Sequence, residues 1–278
     1  MIEGFSTYTG GEFLVFYALL VVGAIVAGVW LPGFLRADGE NRRIDDRYDM
    51  AYLAGGARRV TETALAQLLG TGSLEAAGGN KVRVTRPQGG ETALESDLLR
   101  KRADFGITSA QNTVSAYIND IKERLVRDRL LLDPSERMQL RIVSVLPYLA
   151  VLAVGWYRRS AGLAEGEQVG YLTGLMILAA ILGFIRFIKL DPRTRGGLAA
   201  VAEGKAISSR LRSAPTGPEL GFGVALFGTA ILAGTPFSQL HAMRQSASGD
   251  GGGYSSDGGD SSSSDGGGCG GGCGGCGG

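Results

Sequence analysis

The stretch LGFGVALFGTAILAGTPFSQL, residues 220–240, contains no charged side chain and is long enough to cross a bilayer core, which takes about 20 residues of helix. Gly221, Gly223, Gly228, Gly234 and Pro236 interrupt it. Membrane helices tolerate glycine, so we read the stretch as a transmembrane segment rather than a surface-lying or re-entrant one. The architecture turns on this reading. A span here gives four crossings, and its absence gives three and leaves the C-terminus on the other side of the membrane.

Working outward, three further blocks are apolar. No residue from Phe13 to Leu31 is charged, the length suits a span, and Pro32 and Gly33 close it. A secretory signal peptide would need a positive leading region and a small-residue cleavage site, and neither is visible around this block. Ile142–Tyr157, which contains Pro147, and Val169–Ile188 form the expected transmembrane hairpin, joined through Arg158, Arg159, Glu165 and Glu167. Gly166, Gly170 and Gly174 recur every four residues, which lets another backbone approach one helix face. Packing within the chain is the favoured use of that face, and self-association is the alternative. Arg186 reads as a residue snorkelling to the headgroups. No carboxylate or histidine lies in the middle of a block, which argues against a proton-coupled transporter.

Lysines and arginines set the expected orientation, since positive flanks stay in the cytoplasm. None precedes the first block. Arg36, Arg42, Arg43 and Arg47 follow it, Arg124 to Arg141 precede the second, and Lys189 to Arg212 follow the third. The expectation is a multi-pass protein of the inner (plasma) membrane with its N-terminus outside, residues 36–138 cytoplasmic, a basic cytoplasmic linker over 191–218, and the tail outside if 219–241 spans.

Residues 36–139 suffice for a small cytoplasmic domain with nearly balanced charge. Arg47–Ala54 and Arg58–Leu69 predict two helices broken at Gly55 and Gly56, Lys81–Thr85 an edge strand, and Glu91–Arg102 and Ser109–Leu132 further helices. Val114, Ile118, Ile121 and Leu125 supply an amphipathic face, and Pro134 a stop. Helix, helix and hairpin is the order of a winged helix, yet the second helix continues as Glu62, Ala64 and Ala66 after Arg58 and Arg59. Nucleic acid is therefore not the expected partner. Residues 68–74 and 125–132 are either two copies of one helix-to-strand unit or a coincidence.

All three cysteines, Cys269, Cys273 and Cys276, lie in a low-complexity tail over 242–278 made largely of glycine, serine and aspartate, where disorder is expected. Their Cys-x3-Cys-x2-Cys spacing matches that of cluster-binding radical enzymes, but the surrounding barrel is missing. Three thiolates without histidine leave a zinc site incomplete, while a soft metal such as Cu(I) suits them. In an oxidising compartment one thiol would be left over to join another chain. His241 follows the last apolar block and is read as an interface residue. No phosphate-binding loop accompanies the glycines near 55 and 72.

Tyr52-Leu53-Ala54-Gly55-Gly56-Ala57-Arg58-Arg59, the Gly72-Ser73-Leu74 turn and Val224-Ala225-Leu226-Phe227-Gly228 resemble a family of uncharacterised bacterial multi-pass membrane proteins with short tails rich in glycine, serine and cysteine. The resemblance implies tails that are ribosomally made peptide substrates, with iron-dependent peptide-modifying enzymes as neighbours. It carries over no functional residue. The combined expectation is a mostly α, helical integral membrane protein with 3–4 transmembrane helices in the lipid bilayer, a small cytoplasmic α+β domain of winged-helix type and a disordered tail. It has no catalytic residue and no cofactor beyond a soft metal ion at the tail. Its function is that of a scaffold or substrate whose Cys269, Cys273 and Cys276 are modification sites, the alternative being thiol-dependent metal binding or disulfide linkage.

Overall fold

A computed structural model describes residues 10–40, 42–165, 170–213 and 215–249 of the chain. Cys269, Cys273, Cys276 and the rest of 250–278, as well as Gly166, lie outside the described residues, whereas 242–249, expected to be part of the disordered tail, are helical and belong to a helix over Ser238–Gly249.

Three helices are long and apolar enough to cross a membrane: α1 (Gly10–Leu35), α5 (Pro134–Glu165) and α6 (Gly170–Ile188). They bundle around Phe13, Tyr17, Val21, Tyr148, Val151 and Ala179. Less than a third of each span's most apolar window is buried, and Leu19, Val22, Val26, Leu149, Ile181 and Phe184 face outward. Apolar surface on that scale needs lipid to cover it. The second span is longer than its apolar run because Pro134, read as a stop, is the first residue of α5, where its missing N–H costs nothing.

The glycines that bring these helices together are not the predicted ones. Gly28 and Gly183 both meet the ring of Tyr148, and Gly155 meets Tyr17, whose hydroxyl donates to the Val151 carbonyl at 3.2 Å. Among the described residues, nothing lies within 4 Å of the position a Cβ would take on Gly170 or Gly174. The favoured use of that face, packing within the chain, therefore fails for these two. A repeat of small residues allows close approach but does not choose the partner.

The remainder of the described chain forms one domain at the end of the bundle where α1 and α6 finish and α5 begins. Its central element is α2 (Arg47–Gly70), capped by the Asp46 carboxylate, which accepts from the Tyr48 and Asp49 amides. As the sequence suggests, α2 is two helical halves, broken where Gly55 (φ −162°, ψ 20°) and Gly56 (φ 70°, ψ −167°) leave helical geometry. Strands β1 (Leu74–Ala77) and β2 (Lys81–Val84) pair as an antiparallel hairpin, Leu74 opposite Val84. Short α3 (Ala93–Leu99) and amphipathic α4 (Ile107–Arg127) follow, α4 burying Val114, Ile121 and Leu125 as its spacing requires. The second half of α2 is a core helix, with Val60, Thr63, Ala64, Leu65 and Leu68 fully buried, and so offers no recognition face of the winged-helix kind.

Both runs noted at 68–74 and 125–132 end their helices in the same way. Ser73 N–H donates to Leu68 O and Gly72 N–H to Leu69 O, and Leu130 N–H to Leu125 O and Arg129 N–H to Val126 O. These are paired Schellman closures, with Gly72 (φ 68°) and Arg129 (φ 56°) in the left-handed position. Their continuations diverge, since β1 joins the hairpin while Leu131 makes an isolated bridge to Arg193.

The largest departure from expectation concerns residues 220–240. This stretch is not a spanning helix. After α7 (Arg195–Ile207) comes α8 (Leu220–Phe227), a helix of 8 residues ended by Gly228 at φ 82°, then a 3-10 turn at Thr229–Leu232 and α9 (Ser238–Gly249). Val224 and Ala225 are 0% exposed and Leu220 and Leu226 1%, all in the core that also holds Leu53, Leu65, Leu98 and Leu125. Protein supplies the apolar surroundings that lipid was expected to supply. Its glycines are contact points rather than tolerated irregularities: Gly221 lies against Gln67 of α2 and Gly223 against Ile231. One core thus unites residues 48–131 with 200–243, and the expected 191–218 linker contains α7, part of that core.

Candidate functional site at the membrane junction

Domain and bundle are joined by residues 189–197. Thr194 N–H donates to the Leu130 carbonyl at 3.1 Å and its hydroxyl to the Arg129 carbonyl at 2.8 Å, while Leu132 N–H donates to Pro192 O. Arg195 reaches back to α1, donating to the Gly33 carbonyl at 2.8 Å and pairing with Asp38 at 2.7 Å. A free helix C-terminus exposes unpaired carbonyls and negative dipole, so a guanidinium is a fitting cap. Arg193 donates Nη1 to the Leu53 carbonyl at 3.1 Å, where the first half of α2 ends. It also grips Asp191 through Nε and Nη2 at 2.9–3.1 Å.

Arg186 has a task beyond the anchoring expected of it. Pro32 sits inside α1 and has no N–H, which orphans the carbonyl four residues earlier, that of Gly28. Arg186 Nε donates to that oxygen at 2.9 Å. An arginine in the third span thereby completes the backbone of the first, as a polar group at membrane depth must be completed.

Between these elements lies a cavity of about 680 Å³. Its floor is the broken turn of α2, with Gly55, Gly56 and Ala57, and its walls carry Arg137 from the first turn of α5, Arg186 and Lys189 from the end of α6, and Arg193. Among the described residues, Asp191 is its sole acidic lining residue, and it is already held by Arg193 and, at 3.8 Å, by Arg36. Arg137 Nε is buried without a hydrogen-bond acceptor among the described residues. Next to it, a smaller cavity of about 230 Å³ shares Arg137 and adds Lys122 and Arg141. The volume suits a small ligand and the charge suits an anion.

Burial alone would raise the Asp191 carboxyl, but the hydrogen bonds from Arg193 and the field of Arg36 outweigh it and hold the group below the usual carboxylate range. A depressed carboxyl contributes stability above its unfolded pKa of about 3.9 and loses it as pH falls through the lower folded value. We therefore expect unfolding scans of the solubilised chain to show acid destabilisation setting in below about pH 4. In Asp191→Asn that part of the acid sensitivity should disappear; an unchanged profile would mean that the pair contributes nothing.

No family model, curated protein or solved structure matches this chain. The geometry therefore carries the functional reading alone. Among the described residues no group of three or more His, Cys, Asp and Glu side chains could hold a metal ion. His241, expected at a membrane interface, belongs to α9 in the domain, its Nδ1 3.2 Å from Thr229 Oγ1. In sequence, the junction cations read only as positive flanks of separate spans. The one local signal of more was Arg186, a guanidinium inside an apolar run, together with Pro32 in another.

Proposed function

We propose that this is a non-catalytic membrane protein that carries its cysteine tail on the side of the bilayer where its domain lies. The observation that supports the reading is that 220–240 forms no spanning helix and instead puts Leu220, Val224, Ala225, Leu226, Leu232 and Leu240 into the domain core. With three crossings, residues 36–133 and 189–249 share one side, and the tail starts there at Gly249. Residues 250–278 are too polar to supply another crossing. The arginine-rich flanks assign that side to the cytoplasm, which reverses the outside placement expected from a fourth span. Thiols there stay reduced, so a disulfide role gives way to modification of Cys269, Cys273 and Cys276 by a peptide-modifying enzyme. Fully extended, the tail reaches about 100 Å from its root, ample for entering an enzyme's site.

Because every cysteine is in the tail, a membrane-impermeant maleimide reports its side directly. Labelling is expected only after cells are lysed, and a mass change on the terminal peptide is expected when the modifying enzyme is co-expressed. Labelling of intact cells would overturn the placement. An unaltered terminal mass beside an active enzyme would overturn the substrate role and leave metal binding by the thiols.

A further inference from the structure

We propose that the junction cavity binds the phosphate of a phosphate ester, with the headgroup of an acidic phospholipid in the domain-side leaflet as its source. The inference is independent of the tail and stands on charge, position and backbone geometry.

Charge comes first. Of the lining cations, Arg193 is neutralised by Asp191, whereas among the described residues no carboxylate lies within ion-pair distance of Arg137, Arg186 or Lys189. Three like charges around one cavity repel, and a buried guanidinium Nε without an acceptor, as at Arg137, carries an unmet desolvation cost. A phosphate bearing one or two negative charges relieves both, and guanidinium groups match its oxygens in geometry.

Position comes second. Arg137 lies in the first turn of α5 and Lys189 directly follows the last residue of α6, so the cavity sits at the ends of two spans, level with the headgroups. Basic pockets between spanning helices at that depth hold acidic headgroups. Leu53, Leu131 and Leu190 form an apolar part of the wall, a suitable neighbour for a glycerol backbone.

Backbone geometry is the third element. The break at Gly55 and Gly56 starts a new helix, and the break and the residue that follows it, Ala57, line the cavity. The leading N–H groups of a helix have no intrahelical partners and carry its positive dipole, so the cavity lies beside the positive end of that helix.

The test uses the full chain in nanodiscs of phosphatidylcholine doped with phosphatidic acid or phosphatidylglycerol, with lipid retention read by native mass spectrometry. The wild type is expected to retain the acidic lipid at least tenfold over its share in the disc. The variant R137Q/K189Q is expected to lose that preference, and the charge-preserving R137K/K189R to keep most of it. In pure phosphatidylcholine discs, saturable binding of glycerol 3-phosphate without any preference for acidic lipid would identify a soluble phosphate ester as the source and sustain the site. Wild-type protein with neither lipid preference nor glycerol phosphate binding would overturn the proposal, as would full preference in R137Q/K189Q.

Discussion

Replacing Glu62 by alanine should lower the stability of the folded domain by about 3–5 kcal/mol, the cost of removing one partner from a buried ion cluster. The carboxylate is 1% exposed and is flanked by Arg58 Nε at 3.5 Å, Arg59 Nε at 3.4 Å and Arg244 Nε at 3.1 Å. Two of these arginines lie a turn earlier on α2, and the third is on α9, so the cluster ties the last described helix to the first helix of the domain. Without the carboxylate, three half-buried guanidinium groups repel one another around a hole. Glu62→Gln keeps the shape and leaves a carbonyl dipole facing the guanidinium groups, so it should cost roughly half as much, since it removes the charge without opening a hole. Denaturant unfolding of the solubilised chain measures both variants. Cleavage by trypsin after Arg244 should also accelerate in Glu62→Ala, because α9 loses its tether. An alanine variant within about 0.5 kcal/mol of wild type, the range of ordinary surface changes, would show that the cluster is solvated and unimportant. Because the tail begins where α9 ends, the same variant also tests how firmly the tail is rooted.

Gly197→Ala should be nearly as damaging, although alanine is the better helix former by about 1 kcal/mol. Gly197 lies in the first turn of α7, where its N–H donates to the capping hydroxyl of Thr194 at 3.0 Å. A Cβ there would press into the carbonyl oxygen of Leu130, and one on neighbouring Gly196 into that of Glu40. Both obstacles are backbone, so neither can rotate away. The Leu130 carbonyl also accepts from Thr194, which means that relief of the clash opens the clasp between domain and bundle. Overpacking of this kind costs about 1–3 kcal/mol and more where the backbone cannot move. Gly174→Ala is the matched control, since nothing lies within 4 Å of its Cβ position. Thermal unfolding should therefore show a loss for Gly197→Ala and no loss, or a gain, for Gly174→Ala. Equal behaviour of the two would contradict the close approach at the clasp.

Lipid imposes one simple demand, an uninterrupted apolar helix of sufficient length, and the sequence by itself therefore determined the three spans around Phe13–Leu31, Ile142–Tyr157 and Val169–Ile188. Local rules were equally sufficient for the glycine break in α2, for β2 and for the buried face of α4, because backbone freedom and side-chain periodicity act over a few residues. Residues 220–240 were beyond such rules. A bilayer and a protein core favour the same composition, and the outcome depended on whether another element offered a face to receive the segment, as α2 does with Ala64, Leu65 and Leu68. The glycines posed the same difficulty: Gly28, Gly155 and Gly183 meet aromatic rings while Gly170 and Gly174 meet nothing, a distinction created by helix rotation. The junction cavity was least legible of all. Arg137 and Lys189 are far apart in the chain and each reads as the flank of its own span. Only the packing of α5 against α6, with the broken turn of α2 above them, turns those flanks into one cavity with uncompensated charge.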